Sequence, residues 1–310
     1  MYISVVICTY NRADLLIIAI DSLLKQSIDA AEFEIIIIDN NSKDTTQRVG
    51  LAYAENHKNV KYFLEEKVGL SHARNRGYLE AKGDYVAYAD DDCNLPIDWV
   101  LTAKKVILEK PVAVLGGPVY PFYLYEKPTW YKDNYELLTF GDEAKVLEEG
   151  EYLFGGNIFF RKDILNEFNG FNPEFGMTGN TIGYAEETDL QIRIRVTYTK
   201  ESIYYDPQLF VKHLVRLEKT TLPWIMKSFY ARGKHNFFLR RRIDKLPKYA
   251  NKYIVLPKLL SVYTKITIYT IFGLLFRSRN TYPNFKNFLY ERIQGHIKKL
   301  GFLETYFKLM

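Results

Sequence analysis

Cysteine is almost missing from this chain: Cys8 and Cys93 are the two in 310 residues. Two thiols in or beside apolar runs cannot supply the disulfide framework of a small secreted domain. They suit a reducing cytoplasm, where each acts as a small buried apolar group. Basic residues ahead of the first apolar run are also missing, since the chain enters that run at Ile3; no signal peptide is expected. Long uncharged apolar runs are lacking too. The most apolar piece, Ile266–Phe276, has 11 residues, and extending it back to Tyr253 meets Lys265, Lys258 and Pro257. A bilayer core of about 30 Å needs nearly twice that length as helix, so surface docking is expected ahead of a transmembrane helix, which stays open as the alternative. The last shortage is of acid near the C-terminus. Residues 230–310 hold 17 Lys+Arg against 3 Asp+Glu, a balance of +14, whereas residues 1–229 hold 25 against 34, a balance of −9. The two stretches therefore face partners of different charge.

What is present is most informative at Asp90-Asp91-Asp92, which closes the apolar run Tyr85-Val86-Ala87-Tyr88-Ala89. A buried strand cannot continue through three carboxylates, because each isolated buried charge costs several kcal/mol. The strand must end there and open onto solvent or onto a cation. Carboxylate oxygens suit Mg²⁺ or Mn²⁺, which commonly take one or two carboxylates together with substrate phosphates. An acidic turn in water is the plain alternative at this point.

Upstream, Val5–Tyr10 reads as a buried strand, with Asn11 as cap of a helix whose Leu15, Leu16, Ala19, Ile20, Leu23 and Leu24 recur at helical spacing. Phe33–Ile38 is a second apolar strand ending in Asp39-Asn40-Asn41-Ser42, with Ser42 or Asp44 placed to cap the next helix. A third strand near Val60–Phe63 and a helix over about Ser71–Ala81 precede the strand that ends at Asp90. Near-continuous apolar strands alternating with amphipathic helices predict an α/β fold with a mainly parallel sheet covered on both faces. Ligands of such sheets bind beyond the carboxyl ends of the strands, where three polar clusters stand here.

In four stretches taken in order, the chain resembles the family 2 glycosyltransferases of the GT-A (Rossmann-like) fold. They are Val5–Arg12, Ile37–Asp44, Gly69–Gly77 and the aspartate triplet, and the resemblance covers roughly residues 1–230. It implies an inverting transfer of a sugar from a nucleoside diphosphate to a hydroxyl, with a nucleoside clamp, charge neutralisation of the diphosphate and a base for the acceptor. It places Thr9, Tyr10 and Asp39, with Arg74 and Asn75, at the nucleotide. Asp90 and Asp91 become ribose and supporting contacts, and Asp92 a ligand of Mn²⁺ or Mg²⁺. Gly155, Gly156 and Asn157 match the segment beside donor sugar and acceptor, Asn157 offering an amide to a sugar hydroxyl. Glu186-Glu187-Thr188-Asp189 opens a helix where the family reads Glu-Asp. Glu187, one methylene longer than the family's aspartate, stands as general base, with Glu186 and Asp189 in support. His213 matches a histidine often found near the metal and diphosphate. A nucleotidyltransferase, which shares the acidic metal site, needs a glycine-rich loop after the first strand, and Thr9-Tyr10-Asn11-Arg12 has no glycine.

Residues 231–310 form a separate basic, aromatic-rich helical extension, with Arg240-Arg241-Arg242 interleaved among Phe237, Phe238, Tyr253, Tyr263 and Tyr269. Such segments suit an anionic membrane surface, each Lys or Arg adding about 1 kcal/mol. Nucleic acid and a solvated face are the alternatives, and the nucleotide-sugar reading weighs against nucleic acid. The sequence thus predicts a peripheral enzyme on the inner face of the cell membrane. Its donor is a nucleotide sugar, most commonly of uridine, and its acceptor a saccharide or lipid-linked acceptor of a surface polysaccharide or glycolipid. A non-catalytic nucleotide-sugar-binding protein at a membrane or nucleic-acid surface is the competing reading.

Overall fold

The computed structural model describes residues 1–179, 181–198, 203–243, 246–247 and 252–309. They group into two compact units. The first comprises Met1–Leu124, Glu136–Gly179 and Glu186–Leu214; the second comprises Tyr125–Tyr135, Asn180–Ala185 and Val215–Met310. A single cut at residue 230 would fall inside the helix α7 (Leu222–Arg242).

The first unit is built on strands β1 (Ile3–Thr9), β2 (Phe33–Asp39), β3 (Val60–Leu64) and β4 (Tyr85–Asp90), which pair in parallel in the order β3-β2-β1-β4. Their near-continuous hydrophobicity follows from the strand period of two with both faces covered. Along β2, Phe33, Ile35 and Ile37 enter one core cluster while Ile36 and Ile38 enter the other. Helices α1 (Ala13–Leu24) and α4 (Trp99–Glu109) supply Leu16, Ile20, Trp99 and Ala103 to the first cluster. Helices α3 (Leu70–Glu80), α5 (Lys162–Glu167) and α6 (Glu186–Thr197) supply Ala73, Ile164, Leu190 and Ile194 to the second. Helix α2 (Thr46–Asn56) lays Val49 and Tyr53 against the first.

Beyond β4 the sheet becomes mixed. Strands β6 (Val114–Gly116), β8 (Lys145–Val146), β9 (Asn157–Arg161) and β10 (Ile203–Tyr205) extend it in the order β4-β9-β6-β10-β8, with β9 antiparallel to both β4 and β6. A second sheet forms from β5 (Cys93–Asn94), β7 (Val119–Phe122) and β11 (Val211–Leu214), ordered β5-β11-β7. Because β5 follows the aspartates directly, this small sheet draws Val211–Leu214 to the end of β4.

The helix caps differ from the sequence expectation. Asn11 is not the cap of α1: it sits at φ 53, and Arg12 takes the cap position. The Asn11 side-chain oxygen instead accepts the Lys43 N–H at 2.6 Å, while its own N–H donates to Ser42 Oγ at 2.8 Å, joining the loops after β1 and β2. Asp44 does accept the Thr46 N–H at the start of α2.

In the second unit α7 and the helix α9 (Phe285–Leu309) cross at Gly233 and Gly301. A Cβ on Gly233 would stand 1.9 Å from the Lys298 carbonyl oxygen, and one on Gly301 would stand 2.2 Å from that of Tyr230, so only glycine permits this approach. The third helix, α8, corrects the length argument made from the sequence. It runs unbroken over Lys252–Phe276, 25 residues, with Pro257, Lys258 and Lys265 inside it. By length and composition alone it is long enough to cross a membrane.

Candidate active site

The carboxyl end of β4 delivers Asp90 at the strand's last position, and Asp91 and Asp92 form the turn into β5. Asp91 and Asp92 are each 1% exposed, so the plain reading of a solvated acidic turn does not hold. The ladder of β5 with β11 sets His213 opposite Cys93, and the Leu214 N–H donates to the Asp92 carbonyl at 2.8 Å. His213 Nε2 consequently lies 3.1 Å from Asp92 Oδ1 and 3.9 Å from Asp90 Oδ2. One ligand atom from each of Asp90, Asp92 and His213 falls within a 4.8 Å circle. Two carboxylates and an imidazole form a donor set that suits Mn²⁺ and also accommodates Mg²⁺.

Six carboxylates gather here with α6: Asp90, Asp91, Asp92, Glu186, Glu187 and Asp189. Three guanidinium groups answer them. Arg12 Nη1 reaches Asp91 Oδ1 at 2.8 Å, Arg74 Nη1 reaches Glu186 Oε1 at 2.9 Å, and Arg193 Nε reaches Asp189 Oδ2 at 2.9 Å. Arg12 also stands 3.9 Å from Asp92 Oδ2 and Arg74 3.6 Å from Asp90 Oδ1, so the same guanidinium groups serve more than one carboxylate. A cluster richer in acidic than in basic side chains, with Asp90, Asp92 and His213 presenting ligand atoms together, fits a divalent ion.

Glu187 stands in the first turn of α6, half-buried, with its Oε2 accepting no hydrogen bond among the described residues. Loss of water and then the charge on Glu186 push its carboxyl up to about 8, against the lowering pull of Arg74. Such a carboxylate is a competent proton acceptor near neutral pH. Glu186 and Asp189 hold their surroundings instead: Glu186 is buried on Arg74, while Arg193, anchored by Asp189, donates to the Phe168 and Gly170 carbonyls at 2.7 and 2.6 Å.

At the ends of β1 and β2, Thr9 pairs in register with Asp39. Asp39 is oriented by two donors, Tyr62 Oη at 2.8 Å and the Ser42 N–H at 2.9 Å. Tyr10 follows Thr9, half-buried.

Five of the residues singled out from sequence meet groups of the protein itself. Arg74 is 3% exposed, bonded to Glu186, 3.6 Å from Asp90 Oδ1 and set over the rings of Phe171 and Tyr88. Asn75 spends its amide on the Phe171 backbone, donating to the carbonyl and accepting from the N–H, both at 2.8 Å. Asn157 is 0% exposed and has no free group for a sugar hydroxyl. Its Oδ1 accepts the Trp99 indole N–H at 3.0 Å, and its Nδ2 donates to the Pro118 and Leu209 carbonyls at 3.1 and 2.7 Å. Gly155 and Gly156 do permit a close approach, but by protein side chains. A Cβ on Gly155 would meet the Arg74 guanidinium at 2.6 Å, and one on Gly156 would meet Asp90 Oδ2 at 2.5 Å.

Two contributors carried no sequence signal that separated them from ordinary polar residues. Arg12 clamps Asp91, and Gln191 receives and returns hydrogen bonds with the Leu153 backbone at 2.8 and 2.9 Å, tying the segment before Gly155 to α6. Asn157→Ala tests the structural assignment of that residue. It takes the partner from the buried Trp99 indole N–H and from the Leu209 carbonyl, while the Pro118 carbonyl keeps the Val211 N–H, an expected loss of about 2–4 kcal/mol by urea denaturation.

The model of glycosyl transferase family 2 matches residues 4–168, more than half the chain. The chain belongs to that family. A glucosyl-dolichyl phosphate glucuronosyltransferase of Haloferax volcanii is 30% identical over 237 residues, covering 74% of this chain and 75% of that protein. A GalNAc(5)-diNAcBac-PP-undecaprenol beta-1,3-glucosyltransferase of Campylobacter jejuni is 28% identical over 226 residues, covering 71% and 67%. Among solved structures, the mannosyltransferase PcManGT of Pyrobaculum calidifontis, in complex with GDP-Man and Mn²⁺, superposes with TM-score 0.66 at 17% identity, covering 99% of this chain and 88% of that one. The fold is GT-A, and this member of the family is a glycosyltransferase.

Proposed function

We propose that this glycosyltransferase moves a hexosyl group from a nucleoside diphosphate donor, of the uridine class, to a hydroxyl of a saccharide or lipid-linked acceptor, with inversion at the anomeric carbon. The observation that carries the reading is the meeting of Asp90, Asp92 and His213 at the end of β4, beside a base-competent Glu187. Thr9, Tyr10 and Asp39 hold the nucleoside: Tyr10 offers a ring face to the base, and Asp39, already aligned by Tyr62, accepts from an imide or ribose donor. Asp90 and Asp91 border the ribose and diphosphate, and Arg12 and Arg74 keep those carboxylates in place. Asp92 and His213, with Asp90, are the residues that would hold Mn²⁺ or Mg²⁺. A bound divalent ion neutralises the charge gathering on the departing diphosphate.

Glu187 takes the proton of the acceptor hydroxyl as its oxygen forms the new bond to the anomeric carbon. The bond from that carbon to the phosphate oxygen breaks, and its electron pair leaves with the diphosphate. Attack from the side opposite the leaving group inverts the centre. The lipid-linked acceptor is supported by what the Haloferax and Campylobacter relatives are named for, and the basic, apolar helical unit supports a peripheral position on the inner face of the cell membrane.

The test is transfer itself. Labelled UDP-glucose, UDP-galactose, UDP-N-acetylglucosamine, UDP-glucuronate and GDP-mannose are each offered with a polyprenyl-phosphate-linked saccharide, and the product anomer is read by proton NMR. One UDP-sugar used with inversion supports the proposal; retention of configuration, use of GDP-mannose alone, or no turnover of any donor contradicts it. Gly156→Ala, whose added methyl displaces the Asp90 carboxylate, is expected to weaken Mn²⁺-dependent donor binding about 10–100-fold in a fluorescence titration, as disturbed metal surroundings commonly do.

A further inference from the structure

Helix α8 is apolar almost all the way round, yet only a narrow stripe of it is covered. Val255, Leu259 and Val262 are buried in a cluster with Leu300, Phe302 and Leu303 of α9. Farther along, Tyr263 Oη donates to Glu304, the Tyr269 ring stacks on His296 at 5.2 Å, and Gly273 lies against Phe288. These contacts run the length of α8, so α9 accompanies it side by side. The opposite arc, which includes Leu260, Ile268, Ile271, Phe272, Leu274 and Leu275, is exposed. Of the 25 exposed large hydrophobic residues among the described ones, 12 belong to this one helix. Water-soluble surfaces seldom collect apolar residues so densely without a partner.

The polar groups of α8 point to what that partner is. Thr264, Thr267 and Thr270 return their hydroxyl protons to the carbonyls of Leu260, Tyr263 and Ile266 at 2.9, 3.1 and 2.8 Å, and so need no water. Lys258 and Lys265, seven residues apart, share one edge of the exposed arc, and Lys252 and Arg277 stand at the helix ends. Cations along the edge of an uncharged stripe are the pattern of a helix lying in a headgroup layer. Residues 230–310 carry a balance of +14, which selects anionic headgroups.

The helix is long enough to span, but α9 goes wherever α8 goes. Glu291, Arg292, Lys298, Lys299 and Glu304 on α9 would then be carried into hydrocarbon, each at a cost of a few kcal/mol. We propose that α8 lies in the plane of an anionic bilayer surface, its uncharged arc turned toward the acyl chains and α9 on the water side. The proposal deepens the membrane placement given above and rests on that reading for its purpose, but not for its geometry.

The experiment uses the full chain with Cys8 and Cys93 replaced by alanine and nitroxides attached singly through Leu260→Cys, Thr264→Cys, Ile268→Cys, Ile271→Cys and Leu275→Cys. Depth is read by oxygen against nickel-chelate collision in vesicles of equimolar phosphatidylglycerol and phosphatidylcholine. Nearly equal depth at all five positions, which share the exposed arc, and none beyond about 5–10 Å below the phosphates, is the expected result. A single maximum near position 264, falling away toward both ends, means a spanning helix and overturns the proposal. So does immobilisation of the labels in lipid-free dimers with no vesicle binding. The triple variant Leu260→Asp/Ile271→Asp/Leu275→Asp is expected to lower vesicle affinity about a hundredfold while leaving nucleotide binding intact. Loss of nucleotide binding in the unaltered chain would instead count against the transferase reading alone.

Discussion

Glu187→Gln is expected to lower sugar transfer by about 10²–10⁴-fold, the usual worth of a positioned general base, with donor affinity unchanged. The amide keeps the shape of the side chain and removes its ability to accept a proton. A loss of donor affinity with little loss of turnover would show that Glu187 binds donor and that another group takes the proton. Because the base form is required, kcat/KM of the wild type is expected to climb as pH rises through about 8. Stability should move the other way. A carboxyl raised in the fold above its unfolded value keeps its proton while the unfolded chain releases it, so the wild type loses stability as pH rises from about 4 toward 8. Glu187→Gln carries no such penalty. Its melting temperature should match the wild type near pH 4 and exceed it at pH 8.

Arg74→Met is expected to be the most destabilising single change in the first unit, by about 3–5 kcal/mol. It removes the cation from beside the buried Glu186 carboxylate and from the half-buried Asp90. The diagnostic is partial recovery of stability, by chemical denaturation, in Arg74→Met/Glu186→Gln, which also removes the stranded charge. Unchanged stability with lost nucleotide affinity would mean that Arg74 reaches the donor directly, as the family resemblance implied.

The contrast between Arg74 and His213 shows which features are legible in a sequence. Strands β1, β2 and β4 were readable because both faces of each are buried, so apolar residues run on without alternation until a polar end. The aspartate triplet was readable because three carboxylates cannot lie within a strand. Whether a polar residue faces a ligand or the protein was not readable. Asn75 and Asn157 look like binding residues, yet their amides are consumed by Phe171, Trp99, Pro118 and Leu209. The small second sheet was illegible because its strands run two to four residues, too short for a period to register, and yet it sets His213 beside Asp92. Arg12 gave no hint of its ion pair because Asp91 lies 79 positions away. In α8, the lysines and the proline interrupt hydropathy along the chain, but Lys258 and Lys265 fall on one edge of the helix, so the apolar surface survives in three dimensions.

The site is tested most directly by calorimetric titration of UDP, GDP and dTDP into the full chain with Mn²⁺, with Mg²⁺ and with EDTA, repeated on Asp92→Asn. One nucleotide should bind in the presence of a divalent ion, bind far more weakly in EDTA, and bind Asp92→Asn about as weakly with metal as without. Equal binding in metal and in EDTA, equal binding by Asp92→Asn, or no binding of any nucleotide would contradict a metal-held donor at Asp90, Asp92 and His213.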